Sequence, residues 1–232
     1  MTNLELLDWK LLYQDLNEHG FAKIKNALSK EDCGSLIEGY HATARYRNTI
    51  VMERYRFGKG EYKYFSYPLP ALIQQLRNEL YTPLATLANA WMQHLQIDNQ
   101  YPLDHDTFIK SCHAVNQLRP TPLILTYEAG GYNTLHQDLY GVLYFPFQIL
   151  FVLNQEGKDY EGGEFVMTEQ IPRAQSRAHV LKLDAGDALI FTTNFRPAKG
   201  SKGYYRANMK HGVSTVTSGR RYALGIIFHD AQ

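Results

Sequence analysis

The residues with the most chemistry in this chain are His136 and Asp138, in the run Leu135-His136-Gln137-Asp138-Leu139. In a strand, successive side chains point to opposite faces. An imidazole and a carboxylate two positions apart then face the same way, and Gln137 faces the other. A second histidine, His211, completes a set of two imidazoles and one carboxylate. Such a set occupies one face of a metal and leaves positions open for substrate and oxygen, which suits Fe(II) and O2. Spacing alone decides nothing. Nine histidines and 23 acidic residues among 232 positions produce about one His-x-acid pair by chance, and one is present. An incidental His and Asp on a strand surface stands as the rival reading, so the elements that position them must decide.

Before residue 120 the pattern is mostly helical. Leucines recur at helical spacing over 4–17 (Leu4, Leu7, Leu11, Leu12, Leu16), with Gly20 as a stop. Phe21 to Leu28 reads as a short strand. Ser29-Lys30-Glu31-Asp32 resembles a capping box that opens a helix to about His41. A long helix is expected from about Ala71 to Leu95, broken or kinked at Pro83, and a weaker one over 104–117. The exception is 45–67. Glu53–Phe57 and Glu61–Phe65 alternate on either side of Gly58-Lys59-Gly60, which predicts a hairpin. Arg45, Arg47, Arg54, Arg56, Lys59 and Lys63 stand there against only Glu53 and Glu61, a net of +4. Tyr55, Phe57, Tyr62 and Tyr64 lie among them.

From Pro120 onward, apolar runs of strand length recur between glycine turns: 123–127, 134–139, 147–153, 164–167, 179–183, 188–192, 212–216 and 221–228. Eight such strands predict a mainly β fold with flanking helices: a double-stranded β-helix (jelly roll) with an N-terminal helical layer packed outside it.

Composition narrows the class. Apolar residues make up 44% and charged residues 20%, as in ordinary globular proteins. No apolar run approaches the length of a bilayer span, and the N-terminal residues lack the pattern of a signal peptide. A cytoplasmic protein without membrane contact is expected. Cys33 and Cys112 form no metal or redox spacing and are expected to be reduced packing residues. Net charge of +1 does not by itself suggest nucleic acid.

The C-terminal half carries an ordered set of motifs. Tyr127-Glu128-Ala129-Gly130-Gly131-Tyr132 leads into His136-Gln137-Asp138. Then come Glu161-Gly162-Gly163-Glu164-Phe165, Ala185-Gly186-Asp187-Ala188-Leu189-Ile190-Phe191, and His211-Gly212-Val213 through Ser218-Gly219-Arg220-Arg221-Tyr222. Over about 120–230 this resembles the 2-oxoglutarate/Fe(II)-dependent dioxygenase superfamily, in its prolyl-hydroxylase-like branch. The full-length pattern is also similar to a prokaryotic family of that superfamily assigned to oxidative demethylation of damaged nucleic acid. The resemblance implies that His136, Asp138 and His211 bind Fe(II). It implies that Arg221, ten positions after the distal histidine, pairs with the far carboxylate of 2-oxoglutarate, and that Tyr127 helps to hold it. A second cosubstrate-holding tyrosine of some relatives would fall near Val152 and is expected to be absent. Arg220 rivals Arg221, but only one of two neighbours on a strand can face inward. On a flat hairpin Arg221 would lie some five residues along from His211, about 17 Å, too far for a five-carbon diacid to bridge. The resemblance therefore requires a corner between sheets, expected at Ser218-Gly219.

The expectation is thus one domain over 1–232, with 1–119 as helical layer and candidate substrate lid and 120–232 as jelly-roll catalytic core. Fe(II) is its metal, and 2-oxoglutarate and O2 are its cosubstrates. The leading substrate is alkylated nucleic acid, gripped by Tyr55, Arg56, Tyr62 and Tyr64 of a 45–67 lid, because phosphates want cations and unstacked bases want aromatic faces. A free amino acid or peptide side chain is the rival substrate. A non-enzymatic jelly-roll binding module is the rival class. Oligomeric state is not legible.

Overall fold

Asp8 accepts a hydrogen bond from the Leu11 backbone N–H and starts α1 (Trp9–His19); Gly20, at φ +78°, ends it. This computed structural model describes residues 7–232. The helix therefore starts and ends later than the expected 4–17, and positions 4–6 of that expectation, with Leu4, lie outside the described residues. β1 (Phe21–Ile24) follows. Ser29 then caps α2 (Lys30–Glu38) by accepting from the Asp32 N–H.

α3 runs from Ala71 to His94 without the break expected at Pro83. Leu76, Leu80, Leu84, Leu87 and Trp91 stay buried across that position. Burying each such side chain is worth about 1.5–3 kcal/mol. Together they exceed the ~3 kcal/mol that an interior proline costs. α4 (His105–Ala114) packs beside α3.

The segment expected as a free hairpin folds differently. β2 (Tyr46–Val51) pairs with β4 (Glu61–Phe65), and residues 52–55 form a short 3-10 turn rather than a strand. Arg56 takes a left-handed conformation, φ +60°, which ends any alternation there. The chain then forms β3 (Gly58–Lys59).

Ten strands follow instead of eight. They are β5 (Leu123–Glu128), β6 (Tyr132–His136), β7 (Phe147–Val152), β8 (Tyr160–Gly162) and β9 (Phe165–Gln170). Then come β10 (Arg177–Leu181), β11 (Ala188–Thr192), β12 (Phe195–Gly200), β13 (Gly203–Val213) and β14 (Val216–Ile227). The larger sheet has the order β1-β11-β7-β14-β5-β4-β2, with β8 attached to β14. The smaller has β10-β9-β13-β6-β3, with β12 attached to β13. Together they form the expected jelly roll. The chain before residue 120 is more than a helical layer, since β1 and β2 form the two ends of the larger sheet.

Tyr127, Val152, Met167, Phe191 and Met209 fill the space between the sheets. α3 covers the other face of the larger sheet, with Trp91 against Phe147 at 4.6 Å. β13 and β14 belong to different sheets, so the change of sheet falls at Ser214-Thr215, a few residues before the expected corner. Gly219, at φ +72°, lies inside β14, opposite Tyr160 of β8.

One buried clamp fixes the helical layer to β14. Arg77 of α3 donates to the Ile227 and Phe228 carbonyls, each at 3.0 Å, and to Asp230 Oδ1 at 2.7 Å. Both charged side chains are essentially inaccessible. Arg77→Ala leaves the Asp230 carboxylate without its strongest partner, and should cost about 3–5 kcal/mol of unfolding free energy. Urea denaturation of the variant measures it.

Candidate metal centre and cosubstrate pocket

β6 ends at His136, and Asp138 lies just past it. The alternation persists beyond the strand, because Gln137 points away and donates to the Asn194 and Met209 carbonyls at 3.0 and 2.8 Å. His211 sits directly opposite His136 in the β13–β6 register. Their Nε2 atoms approach the two oxygens of Asp138, at 3.4 Å from His136 and 3.3 Å from His211. One ligand atom from each of the three lies within 4.8 Å of the others. His136 Nδ1 donates to the Thr134 carbonyl at 2.7 Å, which leaves the Nε2 lone pair for a metal. The His211 ring lies 4.7 Å from Phe191 and 5.7 Å from Phe165.

Burial pushes the Asp138 carboxyl up, but the two imidazoles beside it win and hold it well below the usual carboxylate range. A buried anion between two imidazoles is the donor set that a divalent cation needs. One further residue completes it. The Tyr140 hydroxyl donates to Asp138 Oδ1 at 2.6 Å. Burial, then the neighbouring carboxylate, raise the Tyr140 hydroxyl well above its ordinary value, so it remains a neutral donor. Tyr140 interacts with Tyr64, which interacts with Tyr62. The spacing contained this signal: 136, 138 and 140 share one face by the same period of two.

The trio lines a cavity that also contains Tyr62, Tyr127, Asn133, Gln148 and Arg221. Arg221 is 1% exposed. Its Nε and Nη1 are buried without a hydrogen-bond partner, and no carboxylate lies within ion-pair distance among the described residues. Arg220 instead faces outward and pairs with Glu128. Tyr127 stands opposite Arg221 in the β14–β5 register, its ring 5.8 Å from the guanidinium. Burial, opposed by Arg221, pushes the Tyr127 hydroxyl up to about 12. Val152 is a buried apolar residue. Tyr160, not anticipated, interacts with the Arg221 side chain. A buried cation with unsatisfied donors in the same cavity as three metal-type ligands fits a carboxylate-bearing chelate such as 2-oxoglutarate bound at Fe(II).

The expected substrate residues separate. Tyr64 is buried and Tyr62 half-buried on the cavity wall. Neither offers an open face to a base. Lys63 is buried beneath Tyr40, 4.0 Å from its ring centre, and donates to the Tyr40 carbonyl. Arg47 lies over the Tyr64 ring at 4.4 Å and donates to the Pro120 carbonyl. Both cations hold the sheet edge instead of facing a phosphate. Tyr55 and Arg56 are exposed, and Tyr55 stacks on exposed Phe57 at 5.5 Å. Phe57 also lines the cavity.

This fold, with two histidines and a carboxylate over a buried arginine, defines a 2-oxoglutarate- and Fe(II)-dependent oxygenase. Residues 60–231 match a family described as an oxygenase catalysing oxidative methylation of damaged DNA, and the chain belongs to that family. It is an enzyme using Fe(II), 2-oxoglutarate and O2, and the binding-module reading falls. It is similar to an uncharacterised protein of Mycobacterium tuberculosis, 44% identical over 167 residues, 72% of each chain. It is also similar to a PKHD-type hydroxylase of a Psychrobacter species. There the identity is 30% over 146 residues, 60% of this chain and 45% of that one. Its fold resembles a Pseudomonas putida prolyl-4-hydroxylase, with a TM-score of 0.55 at 14% identity over 97% of this chain and 99% of the other. No helix among the described residues is long and apolar enough to cross a membrane.

Two outcomes are expected. Tyr140→Phe should weaken Co(II) binding about 10–100-fold by isothermal titration, because the carboxylate loses the donor that orients it. Arg221→Ala should weaken 2-oxoglutarate binding by roughly 100-fold or more, and Arg220→Ala should change it little. The reverse ranking in a ligand titration would refute the β14 register.

Proposed function

We propose that this oxygenase removes methyl groups oxidatively from alkylated, single-stranded or locally opened nucleic acid. His136, Asp138 and His211 hold the Fe(II), with Tyr140 orienting the carboxylate. Arg221, with Tyr127 against it, receives the far carboxylate of 2-oxoglutarate. Leu123, Leu125, Leu150 and Phe191 give the cavity apolar walls that exclude water. The bound iron supplies oxidation of a substrate C–H bond coupled to decarboxylation of 2-oxoglutarate by O2. Hydroxylation of an N-methyl group gives an N-hydroxymethyl group, which releases formaldehyde and restores the N–H.

The observation that carries the substrate is the Tyr55–Phe57 pair. Phe57 lines the cavity, and both rings are about half exposed, at 54% and 46%. Arg54, Arg56 and Lys59 flank them, exposed and without a carboxylate partner among the described residues. A base–aromatic stack is worth ~1–3 kcal/mol, and unpaired cations meet phosphates. A base inside a duplex would first have to be flipped out. The description of the family supports this reading.

Binding of a methylated single-stranded oligonucleotide, followed by fluorescence anisotropy against salt, tests it. Replacing Arg54, Arg56 and Lys59 by Ala should flatten the log–log salt slope by about 0.7 per lost phosphate contact. Phe57→Ala should lower affinity with little change of slope. No oligonucleotide binding at low salt, or stoichiometric hydroxylation of a free amino acid or peptide in its place, would transfer the substrate to that rival class.

A further inference from the structure

We propose that the β12–β13 hairpin is a second contact surface for single-stranded nucleic acid, remote from the metal centre. The inference rests on the nucleic-acid reading above. Residues 195–213 contain five cations, Arg196, Lys199, Lys202, Arg206 and Lys210, and no Asp or Glu. Arg196 is committed, to Glu169 at 2.5 Å and to the Asn17 carbonyl. The other four are exposed, and none has a carboxylate within ion-pair distance among the described residues. In a chain of net charge +1 this is a strong local excess. Like charges gathered without carboxylates repel one another; Arg206 also lies over the Phe195 ring, 5.0 Å from its centre.

The hairpin adds an aromatic platform. Tyr204 is 42% exposed and stacks flat on His94 from the end of α3, at 4.3 Å and 7°. Lys199 lies directly opposite Tyr204 in the β12–β13 register. Arg206 follows two positions along β13, on the same face. An exposed stacked pair flanked by unpaired cations thus occurs twice in the molecule, here and at Tyr55–Phe57. One carboxylate, Glu18, borders the groove beside His94, Lys199 and Tyr204. It leaves the cations of the hairpin unpaired.

β13 joins this platform to the chemistry. Tyr204, Arg206, Asn208 and Lys210 are exposed, while Ala207, Met209 and His211 are buried. One strand therefore carries a polar, cationic outer face and, on its inner face, a metal ligand. Tyr204 and His211 are seven residues apart, about 24 Å along the strand. A nucleic acid engaged at the metal centre reaches Tyr204 only if several nucleotides extend from the reacting base. An anionic membrane fits the exposed face less well. The hairpin exposes no Leu, Ile, Phe or Trp to insert among lipids.

Length dependence provides the test. Wild-type protein, Lys199→Ala/Lys202→Ala/Arg206→Ala protein and Tyr204→Ala protein are titrated by fluorescence anisotropy. The probes are a methylated trinucleotide and a single strand of about 15 nucleotides, within the span of single-strand sites. Thermal melting verifies that both variants fold. The wild type should bind the long strand more tightly and with a steeper salt slope than the trinucleotide. The triple variant should lose about two units of that slope and bind the long strand roughly tenfold or more weakly. Tyr204→Ala should weaken it roughly tenfold at constant slope. Trinucleotide affinity should not change in either. Wild-type binding of the long strand by the triple variant overturns the inference and leaves the nucleic-acid reading standing. Failure of the wild-type protein to bind either strand removes both.

Discussion

Arg221 is the constraint on which the site depends. A guanidinium enclosed to 1% exposure with no carboxylate partner among the described residues carries a desolvation cost of several kcal/mol. A fold keeps such a group only if its neighbours hold it rigidly and an anion relieves the cost. β14 does the holding, paired with β5 on one side and β7 on the other. The Arg77–Asp230 clamp secures the far end of the same strand. A ligand carboxylate would relieve it, and on the proposed reading cosubstrate binding and stability are then linked: a ligand that binds only the folded protein stabilises it.

The same constraint explains why β13 and β14 cannot form a plain hairpin. On the proposed reading His211 and Arg221 serve two ends of one small diacid, although ten residues separate them. Changing sheet at Ser214-Thr215 places one on each wall of the cavity. The need for such a corner was legible from distance alone, but its position was not. Ser218-Gly219 looked like the turn because glycine is the usual signal. Gly219 instead takes a left-handed conformation within β14, and the change of sheet uses two residues with no turn signature.

The convergence of His136, Asp138 and His211 and the inward turn of Arg221 were legible because they follow rigid rules of alternation and motif order. The elements around them were less so. β12 and the first part of β13 fall outside the eight expected strands, because Arg196, Lys199, Lys202 and Arg206 mask the buried alternation of Phe195 with Pro197 and of Ala207 with Met209. In 45–67 the alternation was genuine but the partner was wrong. Glu61–Phe65 pairs with β5 and β2, and the stretch in between crosses to the smaller sheet, where Gly58 pairs with Asn133. No local pattern encodes a strand whose partner lies some seventy-five residues away.

That crossing changes what the segment can do. A hairpin lid would close over its substrate. Here β4 is a hydrogen-bonded member of the larger sheet and β3 of the smaller, so the segment ties the two sheets together beside the metal centre. Tyr62 becomes fixed wall and Tyr64 lies buried beside it, interacting with the Tyr140 that donates to Asp138, while Phe57 stays exposed where it lines the cavity, with Tyr55 stacked on it. Substrate choice then divides between two surfaces of different character. The wall admits only what fits beside the cosubstrate, and the rim engages what remains outside. A small amino acid would leave the rim unused. On the nucleic-acid reading proposed above, a nucleotide within a strand would use both, with its base entering the cavity past Phe57 and its phosphates at Arg54, Arg56 and Lys59.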